Sequence, residues 1–304
     1  VNPGPAAAPS TDRAAHEEIA AQVVGRRREL TLVLAAVAAG RDILLEGPPG
    51  TSKSTMLRAI TGHWGVPFVL VEGNAELTPA RLVGHHNPAR VLREDYSPDN
   101  FVPGPLVAAM QQGGFLYIEE LNRAPEDTLN TLLGAMAERE ITVPRVGEIA
   151  ARPTFRVLAS MNPFDNVGTA RISDSVYDRW CRLAVGYQDE AEERDIVVIR
   201  TGCADPRLVA DAVAITRATR GHPELRRGSS VRGAIDLVAV AAELAALAAH
   251  PDRERLVLDA ALVALSGRIG VDEASEATPE AVITEIWENH FFSRPGGPRR
   301  DLTG

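Results

Sequence analysis

The hydrophobic pattern along this chain changes character once, near residue 187. Before that point short apolar runs alternate with helical stretches, and after it helical periodicity stands alone. Five runs rich in Val, Leu, Ile or Phe read as strands: Arg41–Glu46, Pro67–Val71, Gly114–Ile118, Phe155–Ser160 and Arg182–Gly186. Ala14–Ala39 reads as helix, with Ile19, Val23, Leu30, Leu34 and Val37 on one face and an interruption at Val24-Gly25-Arg26. Glu126–Glu138 reads as another. Strands alternating with helices predict an α/β fold, a parallel five-stranded sheet sandwiched by helices.

The second part predicts helices over Asp189–Arg200, Pro206–Arg220, Val231–Ala249, Arg253–Gly267 and Thr278–Asn289, with no competing strand signal. The expected organisation is an α/β domain over 14–187 and a smaller all-helical domain over 188–290. Residues 1–13, rich in Pro and Ala, are expected to be disordered, and 291–304 to form a flexible tail.

The first predicted strand runs into Gly47-Pro48-Pro49-Gly50-Thr51-Ser52-Lys53-Ser54-Thr55, and a helix is predicted to follow. This is nearly the phosphate-cradling pattern G-x-x-x-x-G-K-[ST], in the strand-loop-helix context that the pattern requires. Lys53 is the only lysine among 32 basic residues. A compact ammonium is kept where it must reach phosphate oxygens, and Ser54 offers a hydroxyl to Mg²⁺. Ser52 stands where the pattern has its second glycine, and is expected to fit if its dihedrals are helical.

The run Phe115-Leu116-Tyr117-Ile118 ends in Glu119-Glu120, placing two acids at the mouth of a parallel sheet. Glu119 is expected to support the metal, where Asp is the usual residue, and Glu120 to polarise the attacking water. Asn162, after the strand Phe155–Ser160, is expected at the same edge, where its amide orients water.

Composition limits the classes. Net charge is −9 and the pI about 5.4, so no general nucleic-acid surface is expected. Cys181 and Cys203 are too few for a disulfide framework, and no run is long and apolar enough to span a bilayer. A cytoplasmic protein is expected. His85-His86 reads as loop rather than metal site, and Arg26-Arg27-Arg28 as a solvated helix face or subunit contact.

The P-loop, Phe101-Val102-Pro103-Gly104-Pro105-Leu106, Glu119-Glu120-Leu121-Asn122-Arg123-Ala124, Leu133–Arg139, Ser160-Met161-Asn162-Pro163 and Tyr177-Asp178-Arg179-Trp180 together resemble the AAA+ ATPases. Within them they resemble the MoxR branch that includes CbbQ, NorQ and GvpN. The resemblance implies ATP and Mg²⁺ as cofactors and a hexameric homo-oligomeric ring. It also implies a role in remodelling a protein client, with a von Willebrand factor A domain protein as a common partner. It makes residues 14–187 the nucleotide-binding domain and 188–290 its all-helical lid domain, Arg179 the finger that reaches a neighbouring subunit's site and Arg232 the arginine that meets the γ-phosphate from the lid. Segment 74–105 corresponds to the insertion facing the ring pore or client. Two rivals are a nucleotide-gated assembly scaffold with little turnover and a chelatase or gas-vesicle type subunit.

Overall fold

The computed structural model describes residues 13–94, 97–163, 174–247 and 252–292. The chain divides into two compact units that part between Gly186 and Tyr187.

The first unit is built on five strands: β1 Ile43–Glu46, β2 Phe68–Glu72, β3 Phe115–Glu119, β4 Arg156–Met161 and β5 Cys181–Ala184. They pair in the order β2-β3-β4-β1-β5, every pair parallel. Each predicted strand is present, with ends displaced by one or two residues. Side-chain alternation feeds two cores. Leu44, Leu116, Ile118, Val157, Ala159 and Met161 face one side, where they pack on Leu106 and Met110 of the helix Pro105–Gln112 and on Leu129, Leu132 and Met136 of Glu126–Glu138. Ile43, Leu45, Phe115, Tyr117 and Leu158 face the other. There they meet Leu30, Val33, Leu34 and Val37 of Arg27–Ala38 and Met56, Leu57 and Ile60 of Lys53–Trp64. Burying each such aliphatic side chain contributes roughly 1.5–3 kcal/mol.

Asp42 locks the start of β1 to its surroundings. One carboxylate oxygen accepts from the Val157 backbone N–H (2.7 Å) and the other pairs with Arg139 (2.9 Å), which also donates to the Phe155 carbonyl. Arg139 itself caps the helix Glu126–Glu138 in a left-handed conformation.

Several expectations are corrected. Residues 84–86, which hold His85-His86, form a strand paired antiparallel with Phe101–Pro103 rather than a loop, and His86 packs edge-on to Phe101. A second hairpin, Glu140–Val143 with Gly147–Ala150, was not expected. Arg26 is not solvated: its side chain is 3% exposed and donates to Glu29 and to the Gly186 carbonyl. Arg27 and Arg28 are exposed, as a helix face requires. Ser52 is left-handed (φ 62°, ψ 20°), not helical. The N-terminal segment and tail fall outside the described residues, except that Arg13, Phe291 and Phe292 are helical.

The second unit packs five helices, Glu190–Thr201, Pro206–Ala218, Val231–Ala246, Arg253–Leu265 and Pro279–Phe292, around Val213, Ile215, Leu237, Val257, Leu265 and Ile283. It also contains an unexpected short antiparallel pair, Leu225–Arg227 with Gly270–Val271. Asp189 and Glu192 close a reciprocal capping box on the first helix, and Asp205 and Asp252 cap the second and fourth. Asp211 ties three helices together, with His290 Nε2 at 2.9 Å from one oxygen and Arg253 Nη2 at 2.7 Å from the other. Burial pushes its pKa up, but His290 and Arg253 outweigh this and hold it below the ordinary value.

This packing can be tested at two positions. Because the folded pKa of Asp211 is depressed, its contribution is present above the unfolded value near 3.8 and is lost as pH falls through the folded value. Asp211→Asn should therefore cost about 1–3 kcal/mol at pH 7 by urea unfolding, with the gap to wild type narrowing below pH 4; a gap independent of pH refutes the ionic role. Ser52→Gly should remove a left-handed penalty of roughly 1–2 kcal/mol against roughly 0.4–1 kcal/mol of added chain entropy. A net gain of about 0.5–1 kcal/mol, or about 1–3 °C in Tm, is expected. Ser52→Ala should give no such gain, and equal responses of the two variants would show that backbone strain is not the cause.

Candidate nucleotide-binding site

Parallel pairing puts the C-terminal ends of β1, β3 and β4 on one edge of the sheet. The loop Gly47–Ser52 leaves β1 there and turns into the helix Lys53–Trp64. Gly47 donates its N–H to the Met161 carbonyl (3.1 Å), and a Cβ at Gly47 would lie 2.0 Å from the Val185 carbonyl oxygen. No other residue fits. Pro48 and Pro49 carry the turn, Gly50 is left-handed (φ 74°), and buried Thr51 donates its hydroxyl to the Pro48 carbonyl (3.0 Å). Lys53 Nζ folds back over the loop, donating to the carbonyls of Gly47 (2.9 Å) and Pro48 (2.8 Å) and to Thr51 Oγ1 (3.1 Å). Thr55 is exposed in the first helical turn.

Ser54 and Glu119 are brought together. Ser54 Oγ donates to Glu119 Oε1 at 2.9 Å. Two hard oxygens at a P-loop are a donor set suited to Mg²⁺. Ser54 Oγ also lies 3.1 Å from the Tyr117 hydroxyl, which lies 2.8 Å from Ser160 Oγ. Sequence reasoning missed this polar thread. Its signal was a tyrosine inside an otherwise apolar strand, since a buried phenol needs a partner. Burial raises the Tyr117 pKa, against the bonds to Ser160 and Ser54, so the phenol stays protonated.

Glu120 turns the chain away from β3 in a left-handed conformation (φ 56°, ψ 47°), with its carboxylate 3.1 Å from Arg123 Nε. A non-glycine residue held there stores strain of the order of 1–2 kcal/mol. The turn is braced by Gly73, whose N–H donates to the Glu119 carbonyl (2.7 Å) and whose Cβ, if present, would meet the Glu120 oxygen at 2.3 Å. Asn162 comes after β4 at the same edge, and its carbonyl accepts from Asn122 Nδ2 (3.5 Å).

Arg179 is elsewhere. It precedes β5, whose first residue is in register with Ile43, and so lies at the edge where the strands begin. Exposed, it donates to the Leu133 carbonyl (3.1 Å) and lines a cavity of about 510 Å³ with Asp42, Met136, Arg139, Asp178 and Trp180. Arg232 is exposed in the first turn of Val231–Ala246, within the second unit. Among the described residues no cluster of His, Cys, Asp and Glu suits a metal ion by itself, and no helix is long and apolar enough to cross a membrane.

Comparison with known proteins agrees with this geometry. Residues 42–180 match the AAA domain (dynein-related subfamily). The chain is 30% identical over 265 residues to the Bacillus subtilis protein YeaC, covering 78% of this chain and 79% of YeaC. It is 28% identical over 222 residues to the gas vesicle ATPase GvpN of Ancylobacter aquaticus, covering 67% of this chain and 61% of that protein. A solved structure from Cytophaga hutchinsonii superposes with a TM-score of 0.52 at 22% identity, over 90% of this chain and 92% of that one, and shares the fold. With its P-loop, two-acid strand end and five-stranded parallel sheet, the chain belongs to the AAA+ ATPases of the MoxR and GvpN type.

Proposed function

We propose that this protein hydrolyses ATP, with Mg²⁺, at sites shared between adjoining copies in a ring, and uses the cycle to remodel or mature a protein client. The observation that carries the reading is the Ser54–Glu119 hydrogen bond beside the loop that Lys53 caps, with Glu120 following Glu119 at the same end of the sheet. Lys53 would exchange its loop acceptors for β- and γ-phosphate oxygens. Ser54 and Glu119 would hold the metal, which neutralises charge on the transferring phosphoryl group. Glu120 would take the proton of the attacking water and Asn162 would orient that water. Arg179, at the opposite sheet edge from its own P-loop, is suited to a neighbour's γ-phosphate, and Arg232 to the γ-phosphate held by its own P-loop, reached from the helical unit. The hexamer and a von Willebrand factor A partner are proposed on the resemblance to the MoxR branch.

Ser52 and Glu119 favour a second reading. A strained residue before Lys53 and a carboxylate one methylene longer than usual both suit slow turnover, as in a nucleotide-gated scaffold. Likeness to a gas vesicle ATPase makes a gas-vesicle type role one candidate for either reading.

Glu120→Gln should retain ATP binding while phosphate release falls at least about 100-fold; undiminished release removes Glu120 from the reaction. Arg179→Ala should also be inactive, but mixing it with Glu120→Gln should recover activity. In a random ring roughly a quarter of interfaces pair an intact Glu120 with an intact neighbouring Arg179. A mixture as inactive as its parts would refute the shared site, and negligible release by assembled wild type would favour the scaffold.

A further inference from the structure

Glu46 is the last residue of β1 and directly precedes the P-loop. Its side chain is 3% exposed. Alternation sets it on the face of Leu44, and its ladder neighbours are Met161 on β4 and Ala184 on β5. One carboxylate oxygen, Oε2, is held by the guanidinium of Arg182, two residues before Ala184 on β5. The other, Oε1, is buried and has no hydrogen-bond partner among the described residues. Arg182 is half-exposed. A carboxylate is thus enclosed beside a loop that must accept a polyanion, and one guanidinium at the edge of the sheet balances it.

Stability does not account for this pair. An apolar residue at the end of a buried strand generally matches or exceeds a buried ion pair in stabilising a fold, because both charges must be desolvated. What the pair changes is local potential. Glu46 alone would repel phosphates through low-dielectric protein, where charges a loop-width apart still interact strongly.

We propose that Arg182 is a positioning residue for nucleotide binding, which balances the charge of Glu46 so that the P-loop can take up polyphosphate. The inference rests on the reading of the P-loop as a nucleotide site. It differs from the phosphate-contacting roles of Lys53, Arg179 and Arg232, because Arg182 acts through Glu46 and its effect must scale with the charge of the ligand. A residue that merely holds β5 in place would show no such scaling.

The test is calorimetric titration of the full chain at pH 8 with Mg-ATP and Mg-ADP. Arg182→Gln should weaken ATP binding about tenfold and ADP binding about threefold, roughly threefold per unit of ligand charge, the scale of a Coulomb interaction across roughly 10 Å at an effective dielectric near 20 screened by about 0.1 M salt. Adding Glu46→Gln to Arg182→Gln should return ATP affinity to within about twofold of wild type, since the uncompensated charge is gone. The inference is overturned if Arg182→Gln binds ATP like wild type, if it loses both nucleotides equally, or if the double variant binds no better than the single one. Should Arg182→Gln fail to fold, Glu46→Gln alone decides: about threefold tighter ATP binding supports the proposal, and unchanged or weaker binding overturns it. Wild type that binds neither nucleotide overturns the proposed function itself, a result distinct from any of these.

Discussion

Parallel pairing of β1 with β4 on one side and β5 on the other is the constraint on which the site depends. Parallel strands share polarity, so the segments that leave their C-terminal ends emerge at one edge, and the segments that enter them lie at the other. The loop after β1, the acids ending β3 and Asn162 after β4 therefore gather at one edge, while Asp42 and Arg179 lie at the other. The pairing is tight where it matters. Gly47 is clamped between the Met161 carbonyl, to which it donates, and the Val185 carbonyl, which leaves no room for a Cβ. Shifting β1 by one residue against its neighbours would turn Leu44 and Leu45 onto the wrong cores and move the loop with them.

Two residues at that edge, Ser52 and Glu120, are held left-handed without being glycine. Each is overdetermined by regular structure beside it: Ser52 by the helix whose Met56 N–H bonds its carbonyl, and Glu120 by Gly73 packed against its backbone. Strain of this kind persists only when surrounding packing supports it, and it concentrates where a chain must aim particular groups. Here it turns the chain sharply after β3, so that Glu119 meets Ser54 while Glu120 points away toward Arg123.

Most of the sheet could be read from the chain because buried parallel strands are continuous apolar runs, and these were bounded by Gly, Pro and charged residues. The hairpin at residues 84–86 could not, since Gly-His-His carries no apolar alternation and pairs through backbone bonds to Phe101–Pro103. The short pair Leu225–Arg227 and Gly270–Val271 escaped for the same reason. At the site, the residues with motif spacing were legible, whereas Tyr117, Ser160 and Gly73 were not. Tyr117 meets Ser160 and Ser54 across 43 and 63 positions of sequence, signalled only by a phenol in an apolar strand, and Gly73 meets the Glu119 carbonyl only because β2 pairs with β3. Arg26 was misread because charge runs are usually solvated; a buried guanidinium needs partners such as Glu29 and the Gly186 carbonyl, and those are distant or hidden in sequence.

The single lysine has its reason in the same geometry. Lys53 Nζ meets three acceptors that converge from one side of the loop: two carbonyls and a hydroxyl, all within 3.1 Å. An ammonium donates three hydrogens from one point and suits that cluster, whereas a planar guanidinium spreads its donors in a fork and would leave some acceptors unmet. Elsewhere the forks are used as forks. Arg139 spans Asp42 and the Phe155 carbonyl with its two terminal nitrogens, and Arg26 spans Glu29 and the Gly186 carbonyl in the same way. With 31 arginines able to serve every planar task, the one position that keeps lysine is the one where the acceptors surround a point, which is also the shape a terminal phosphate presents.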